Sequence, residues 1–189
     1  MKRIAILASG AGSNARNIIN HFKGNKDVRV VLIASNKSDA GVLSIANEHS
    51  IETCLLHQEN FYSSDQFLQL LLSRNVNFIV LAGFLKRVPE NLVKAFPQAI
   101  VNIHPALLPA YGGKGMYGHH VHEAVHANRE KESGITIHFV NEHYDEGQII
   151  FQAKAAIDTS DTPADIERKV RALEIEYFPS VIEKVLQEN

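Results

Sequence analysis

Asn102 and His104 are the residues of this chain whose types and spacing are best suited to chemistry. They flank Ile103 at the end of the apolar run Ala99-Ile100-Val101, and Pro105 follows at once. Residues two apart on an extended strand project to the same side. Pro105 cannot continue the hydrogen-bonded ladder and so fixes a turn. An amide and an imidazole are thus aimed together off the end of a buried strand, where open α/β sheets bind their ligands. A carboxylate recurs later, at Asp145 in His143-Tyr144-Asp145-Glu146-Gly147, just past the apolar stretch from Ile135 to Val140. Asn102, His104 and Asp145 are therefore the candidate catalytic centre. A lone strand-end histidine is usually structural, and Asp-Glu-Gly is good turn chemistry. The asparagine beside His104 and the glycine-rich segment after it favour the catalytic reading.

A second candidate is Gly10-Ala11-Gly12-Ser13-Asn14, between a strand and a helix. Glycines let the backbone approach a ligand, and a helix start offers free N–H groups and a positive dipole end. Gly12, Ser13 and Asn14 thus form an anion site, most simply for a phosphate. The plain alternative is a tight turn with Ser13 as the helix N-cap. A dinucleotide site would need an acidic residue ~20 positions on. This chain has Ser35-Asn36-Lys37 after its second strand, so a monophosphate fits better.

His119, His120, His122 and His126 raise the question of a metal. His122 and His126 have helical i,i+4 spacing, but Glu123 does not complete the zinc-protease pattern and no cysteine assists. No metal is expected. His138 shares a strand face with Thr136 and Val140 and is expected to line the site, whereas His21, His49 and His57 read as surface residues.

These side chains need elements to hold them. Strands are predicted at 2–8, 28–34, 52–56, 78–82 and 100–103, with helices at 13–22, 41–50, 64–73 and 89–96 between them. This alternation predicts an α/β fold with a doubly wound, mostly parallel sheet. Residues 107–118 carry Pro109 and glycines at 112, 113, 115 and 118. They read as a functional loop, within which 111–115, with few side-chain anchors, is expected either to settle when the nucleotide binds or to be a passive connection. A short helix follows at 122–128. The stretches 134–140 and 149–155 predict an antiparallel strand pair. A long last helix starts with Thr162 as N-cap and Pro163 in its first turn, and Pro179 should kink or break it.

The 189 residues predict a single domain, with a net charge of −2, 45% hydrophobic and 21% charged residues. That charge argues against nucleic-acid binding, and no apolar run approaches the ~20 residues of a membrane helix. Cys54 is the only cysteine, and no secretory leader is visible, so a cytoplasmic location is expected.

With these elements placed, the chain resembles the folate-dependent formyltransferases, and among them the phosphoribosylglycinamide formyltransferases of purine synthesis. The resemblance runs nearly end to end. It rests on Ser9-Gly10-Ala11-Gly12-Ser13-Asn14, Ser35-Asn36-Lys37, Leu81-Ala82-Gly83-Phe84, Asn102-Ile103-His104-Pro105-Ala106-Leu107-Leu108-Pro109, His138-Phe139-Val140 and Asp145-Glu146-Gly147. It implies a Rossmann-like formyltransferase fold, with a phosphate-binding N-terminal half and a folate-binding C-terminal half. It implies formyl transfer from 10-formyltetrahydrofolate to the amine of glycinamide ribonucleotide. The family's catalytic residues fall on Asn102, His104 and Asp145, and its phosphate loop on Gly12, Ser13 and Asn14. A substrate-binding glutamate falls on Glu174, with Arg171 near it. Folate-binding segments fall on Leu85, Lys86, Arg87 and Val88, and on Asn141, Glu142, His143 and Tyr144.

In that reaction Asn102 would stabilise the oxyanion and His104 would donate to it or move the proton, with Asp145 raising the pKa of His104. The substrates are small molecules, folate is a co-substrate, and no tightly bound cofactor is required. Some family members carry an arginine near residues 61–64 that reaches the folate tail. None stands there in this chain, and Lys86 or Arg87 is the candidate replacement. The alternatives are another 10-formyltetrahydrofolate enzyme, either a hydrolase or a formyltransferase for another amine, and a phosphosugar-binding module without chemistry. Oligomeric state is not legible.

Overall fold

The computed structural model describes residues 1–188. Strands β1 (Lys2–Leu7), β2 (Val28–Ser35), β3 (Glu52–Leu55), β4 (Phe78–Leu81), β5 (Ile100–His104), β6 (Glu132–Phe139) and β7 (Ile149–Ala156) hydrogen-bond in the order β3-β2-β1-β4-β5-β6-β7. The helices are α1 (Ser13–His21), α2 (Gly41–Glu48), α3 (Gln58–Phe61), α4 (Gln66–Ser73), α5 (Glu90–Ala95), α6 (His119–Ala127) and α7 (Pro163–Glu188). β1 pairs in parallel with β2 and β4, β2 pairs in parallel with β3, and β6 and β7 are antiparallel. The fold class read from the sequence is the one observed. The chain divides into two compact units, 1–101 and the residues from Asn102 on.

In the first unit, Ile4, Ala5, Ile6 and Leu7 of β1 are fully buried. A strand covered on both faces has no polar face to alternate, which is why β1 reads as a continuous apolar run. The strand order reverses at β1, with β2 on one side and β4 on the other. Such a switch point leaves a crevice at the carboxyl ends of the two strands. Ser9 organises it. Its N–H donates to the Gly83 carbonyl at 3.0 Å, its hydroxyl donates to Asn36 Oδ1 at 2.6 Å and accepts from the Leu85 N–H at 2.9 Å. One buried hydroxyl thus ties together the loops after β1, β2 and β4. The short helix α3 is not predicted by the sequence. It starts at a reciprocal cap in which the His57 N–H donates to Asn60 Oδ1, and it delivers Phe61 to the core.

In the second unit, α7 packs on α6, β6 and β7. Its start follows the sequence prediction. The Asp165 N–H donates to Thr162 Oγ1 and the Thr162 N–H donates to Asp165 Oδ2, a closed capping pair. The Thr162 hydroxyl bond is the main reason the Asp165 carboxyl is held down to about 2. Pro179 does not break the helix as predicted: α7 runs through it to Glu188. Proline removes one backbone donor, but Phe178, Val181, Ile182, Val185 and Leu186 are all buried around and beyond it. Burial of that apolar face outweighs one lost hydrogen bond.

Gly12, not Ser13, is the N-cap of α1, at φ 83° and with no side-chain capping bond. A Cβ there would lie 2.8 Å from Val42 Cα and from Ile45 Cδ1. Both a left-handed backbone and the close approach of α2 therefore demand glycine. Gly12→Ala is expected to cost about 1–3 kcal/mol from backbone strain and overpacking. Urea unfolding checks this. Wild-type stability would show that α2 yields freely.

Candidate active site

Asn102 and His104 do lie on one side of β5, and Asp145 meets both. Asn102 Nδ2 is 3.5 Å from Asp145 Oδ1, and His104 Nδ1 is 3.6 Å from Asp145 Oδ2. The strand-spacing argument therefore holds, and the carboxylate predicted from a separate motif closes the cluster. His138 joins it, as its strand position predicts: its Nε2 is 3.1 Å from Asn102 Nδ2 and 3.6 Å from Asp145 Oδ1. The His104 and His138 side chains are 4% and 3% exposed and that of Asp145 is 11% exposed.

Local features explain why the chain folds this way. The β6–β7 register slips opposite His138, where β7 carries Ile150 as an extra residue. The Asp145 loop returns against the end of β6. A Cβ on Gly147 would stand 1.6 Å from the Phe139 carbonyl oxygen, so only glycine permits that return. Asp145 itself has φ 57°, an uncommon conformation that aspartate tolerates better than most residues. The turn after β5 is held by Thr136. Its hydroxyl donates to the Ala106 carbonyl at 2.7 Å and accepts from the Leu108 N–H at 2.9 Å and from Gln152 Nε2 at 2.8 Å. Sequence reasoning missed Thr136 and Gln152, because neither shows its partner in its own neighbourhood.

The hydrogen bonds fix the proton positions. His138 Nδ1 lies 2.8 Å from the Phe139 carbonyl oxygen, which can only accept, so Nδ1 carries the proton. In the neutral ring Nε2 is then an acceptor and Asn102 must present its NH2 to it. His104 Nε2 lies 2.7 Å from the Tyr111 carbonyl oxygen, so Nε2 carries the proton there. In neutral His104, Nδ1 is a lone pair facing the Asp145 carboxylate.

Charge follows from burial. Burial lowers the pKa of His104 and outweighs the opposite pull of Asp145 and of the Tyr111 carbonyl. The sequence reading had Asp145 raising this pKa; the pull exists, but desolvation of the ring exceeds it. Burial pushes the Asp145 carboxyl up, yet the His138 ring, the His104 charge and the Gly113 N–H together hold it below its ordinary value. Near neutral pH the site therefore holds a neutral imidazole beside a carboxylate.

The segment 111–115 is anchored on the candidate catalytic residues: the Tyr111 carbonyl accepts from His104, and the Gly113 N–H donates to Asp145 Oδ2 at 2.9 Å. Backbone groups make these anchors, which is why side-chain types did not reveal them. Gly112 is required there, since a Cβ would stand 2.6 Å from Leu108 Cδ2 and 3.3 Å from Asp145 Cβ.

The remaining predicted residues are distributed as follows. Ser13 is half-buried and Asn14 buried in the first turn of α1. Leu85, Lys86 and Arg87 form an exposed segment before buried Val88, with the Arg87 carbonyl accepting from the Tyr62 hydroxyl at 2.7 Å. Glu142, His143 and Tyr144 are exposed and Asn141 is half-buried, its Oδ1 accepting from the His143 N–H at 2.9 Å. On α7, Glu174 is half-buried and Arg171 exposed. His122 and His126 do not form a pair. His122 is buried, with Nδ1 lacking a partner among the described residues, while His126 is exposed. His119, His120 and Glu123 come together instead, all exposed at the start of α6.

These shifts set the response to acid. The unfolded chain protonates its histidine near 6.5, the folded His104 only at lower pH. Stability from this group is complete above 6.5 and declines as pH falls below it. Asp145 adds a loss in the same direction as pH falls through its depressed value. His104→Asn should flatten the dependence of stability on pH between about 6.5 and 5. Urea midpoints across that range measure it. An unchanged slope would place the proton uptake on other histidines.

The formyl transferase family pattern matches residues 2–182. The chain is 39% identical to a chloroplastic phosphoribosylglycinamide formyltransferase of Arabidopsis thaliana, over 100% of this chain and 66% of that protein. A second chloroplastic relative, from Vigna unguiculata, is covered to 62%, so the chain spans somewhat under two thirds of these plant relatives. It is 34% identical to the phosphoribosylglycinamide formyltransferase of Bacillus subtilis, over 100% of this chain and 97% of that protein. The crystal structure of a Bacillus halodurans phosphoribosylglycinamide formyltransferase superposes with a TM-score of 0.88 at 35% identity, over 98% of this chain and 95% of that one. By sequence pattern over nearly its whole length and by fold, the chain belongs to the formyl transferase family.

Proposed function

We propose that this chain transfers the formyl group of 10-formyltetrahydrofolate to the amine of N1-(5-phospho-D-ribosyl)glycinamide, a step of purine synthesis. The observation that carries this reading is the cluster of Asn102, neutral His104 and Asp145 in a chain whose bacterial relatives bear that enzyme's name.

The amine nitrogen attacks the formyl carbon, and the carbonyl oxygen becomes an oxyanion. Asn102 Nδ2 donates to that oxygen, using the N–H that makes only a 3.5 Å contact with Asp145. The nitrogen sheds a proton to His104 Nδ1, the ring's free lone pair. The resulting imidazolium is stabilised by Asp145 beside it. It returns the proton to the folate nitrogen as the carbon–nitrogen bond to folate breaks. Asp145 serves two states: it accepts from Asn102 at rest and balances the imidazolium during transfer.

Binding roles complete the proposal. The α1 N-terminus with Gly12, Ser13 and Asn14 takes the phosphate, and Glu174 with Arg171 assists the nucleotide. Leu85 to Val88 and Asn141 to Tyr144 take the folate, whose tail finds Lys86 or Arg87. Folate acts as a co-substrate, with no tightly bound cofactor. The net charge of −2 argues against tRNA as the acceptor. No helix among the described residues is long and apolar enough to cross a membrane, and we assign the enzyme to the cytoplasm.

The test offers purified protein 10-formyltetrahydrofolate with glycinamide ribonucleotide, with tRNA, or with water alone. Formylation of the ribonucleotide is expected. Deformylation in water at the same rate would identify a hydrolase instead. Asn102→Ala and His104→Ala should each lower kcat by ~10²–10³ with the fold intact. Asp145→Asn should lower turnover while both substrates still bind. Near wild-type turnover in all three variants would remove the cluster from the mechanism.

A further inference from the structure

His104 poses a problem that the cluster alone does not solve. A neutral imidazole with one nitrogen facing a carboxylate at 3.6 Å gains most by placing its N–H on that nitrogen. Left to itself, His104 would carry its proton on Nδ1, directed at Asp145. The lone pair would then sit on Nε2, away from the carboxylate. That form cannot take a proton beside Asp145. The Tyr111 carbonyl oxygen, 2.7 Å from Nε2 and able only to accept, selects the opposite tautomer.

The Tyr111 carbonyl is in turn held from outside the cluster. Tyr111 has φ 58°, a left-handed conformation that a tyrosine rarely adopts. Its phenol is pinned at the other end of the residue. The hydroxyl donates to Glu130 Oε1 at 2.7 Å and accepts from Asn128 Nδ2 at 2.8 Å. Asn128 and Glu130 are exposed and follow directly on α6, so the anchor is a helix end. Two residues beyond Tyr111, the Gly113 N–H reaches Asp145. One short segment therefore touches both proton-handling groups, and a phenol at its edge fixes where it lies.

We propose that Tyr111 is a positioning residue for the formyl transfer: its phenol, anchored by Glu130 and Asn128, holds its own carbonyl against His104 Nε2 and so keeps the Nδ1 lone pair of His104 beside Asp145. This inference rests on the proposed function only in giving that lone pair its task. The contact that holds Nε2 stands on the geometry alone. Tyr111 touches no reacting atom and acts through His104. Neither its type nor its place in Tyr111-Gly112-Gly113 shows this in the sequence, because the working group is a main-chain carbonyl.

Tyr111→Phe keeps the ring and removes both phenol hydrogen bonds. Protein labelled with 15N-histidine reports each ring's tautomer through long-range 1H–15N correlations, with His104→Asn identifying the His104 signals. Wild type is expected to show His104 protonated at Nε2. Tyr111→Phe is expected to populate the Nδ1-protonated form, with kcat falling about tenfold and both KM values changing less than about twofold, because ground-state binding is untouched. Glu130→Ala should move both readouts the same way, and Glu130→Gln, which keeps an acceptor oxygen at the phenol, should recover most of the loss. Glu130→Ala also decides the matter if Tyr111→Phe fails to fold. A fall in kcat with the tautomer unchanged would make Tyr111 merely structural and overturn the inference. So would a shifted tautomer with wild-type turnover, or no change in either. If the wild-type protein forms no formylated ribonucleotide, the proposed function fails, while the tautomer measurement still decides the role of Tyr111.

Discussion

The Asp145 carboxylate, mostly out of water, is the interaction on which the second unit's architecture turns. A charge so placed costs free energy unless it is paired and hydrogen-bonded. Asn102 Nδ2 and the Gly113 N–H donate to it, and the rings of His104 and His138 stand 3.6 Å away. They come from β5, from β6 and from the loop after β5. Around them stand the register slip of β7 opposite His138, the left-handed backbone of Asp145 and a glycine at 147. Each is locally unfavourable or restrictive. Their concentration around one side chain is the observation behind the proposed catalytic role.

Main-chain carbonyls do the finer work. The Phe139 carbonyl sets which nitrogen of His138 is protonated, and that decides which end Asn102 offers. The Tyr111 carbonyl does the same for His104. Two backbone acceptors thus convert symmetric rings into directed ones. Burial then keeps His104 neutral, despite the carboxylate beside it. Had the ring been exposed, the pull of Asp145 would have raised its pKa instead.

The first unit uses a different device. Its strands offer only apolar side chains at the switch point, so the polar work passes to the loops beyond them. Ser9 binds three of those loops through one hydroxyl and one N–H, and Gly12 lets α1 and α2 approach closely. The glycine proposed to admit a phosphate is also indispensable to packing. A glycine in a loop of this kind cannot be read as functional or structural alone.

The sequence by itself determined the strands, the helices other than α3, their α/β alternation, and the candidate residues Asn102, His104 and Asp145. It did so because period-two projection, proline and glycine act within a few residues of where they stand. His138 was legible for the same reason, from its strand face. The sequence also located most of α7; of the kink or break expected at Pro179 the break does not occur, its local cost being exceeded by the burial of its neighbours. Tertiary structure alone decided the sign of the His104 shift, because desolvation depends on everything packed around the ring. It alone made Tyr111 and Thr136 part of the site, since their partners stand 7 to 30 residues away. It alone turned the glycine-rich segment from a loose connection into a support. Hydrogen bonds from the main chain carry no residue type, and so leave no trace in a sequence until the fold has brought donor and acceptor together.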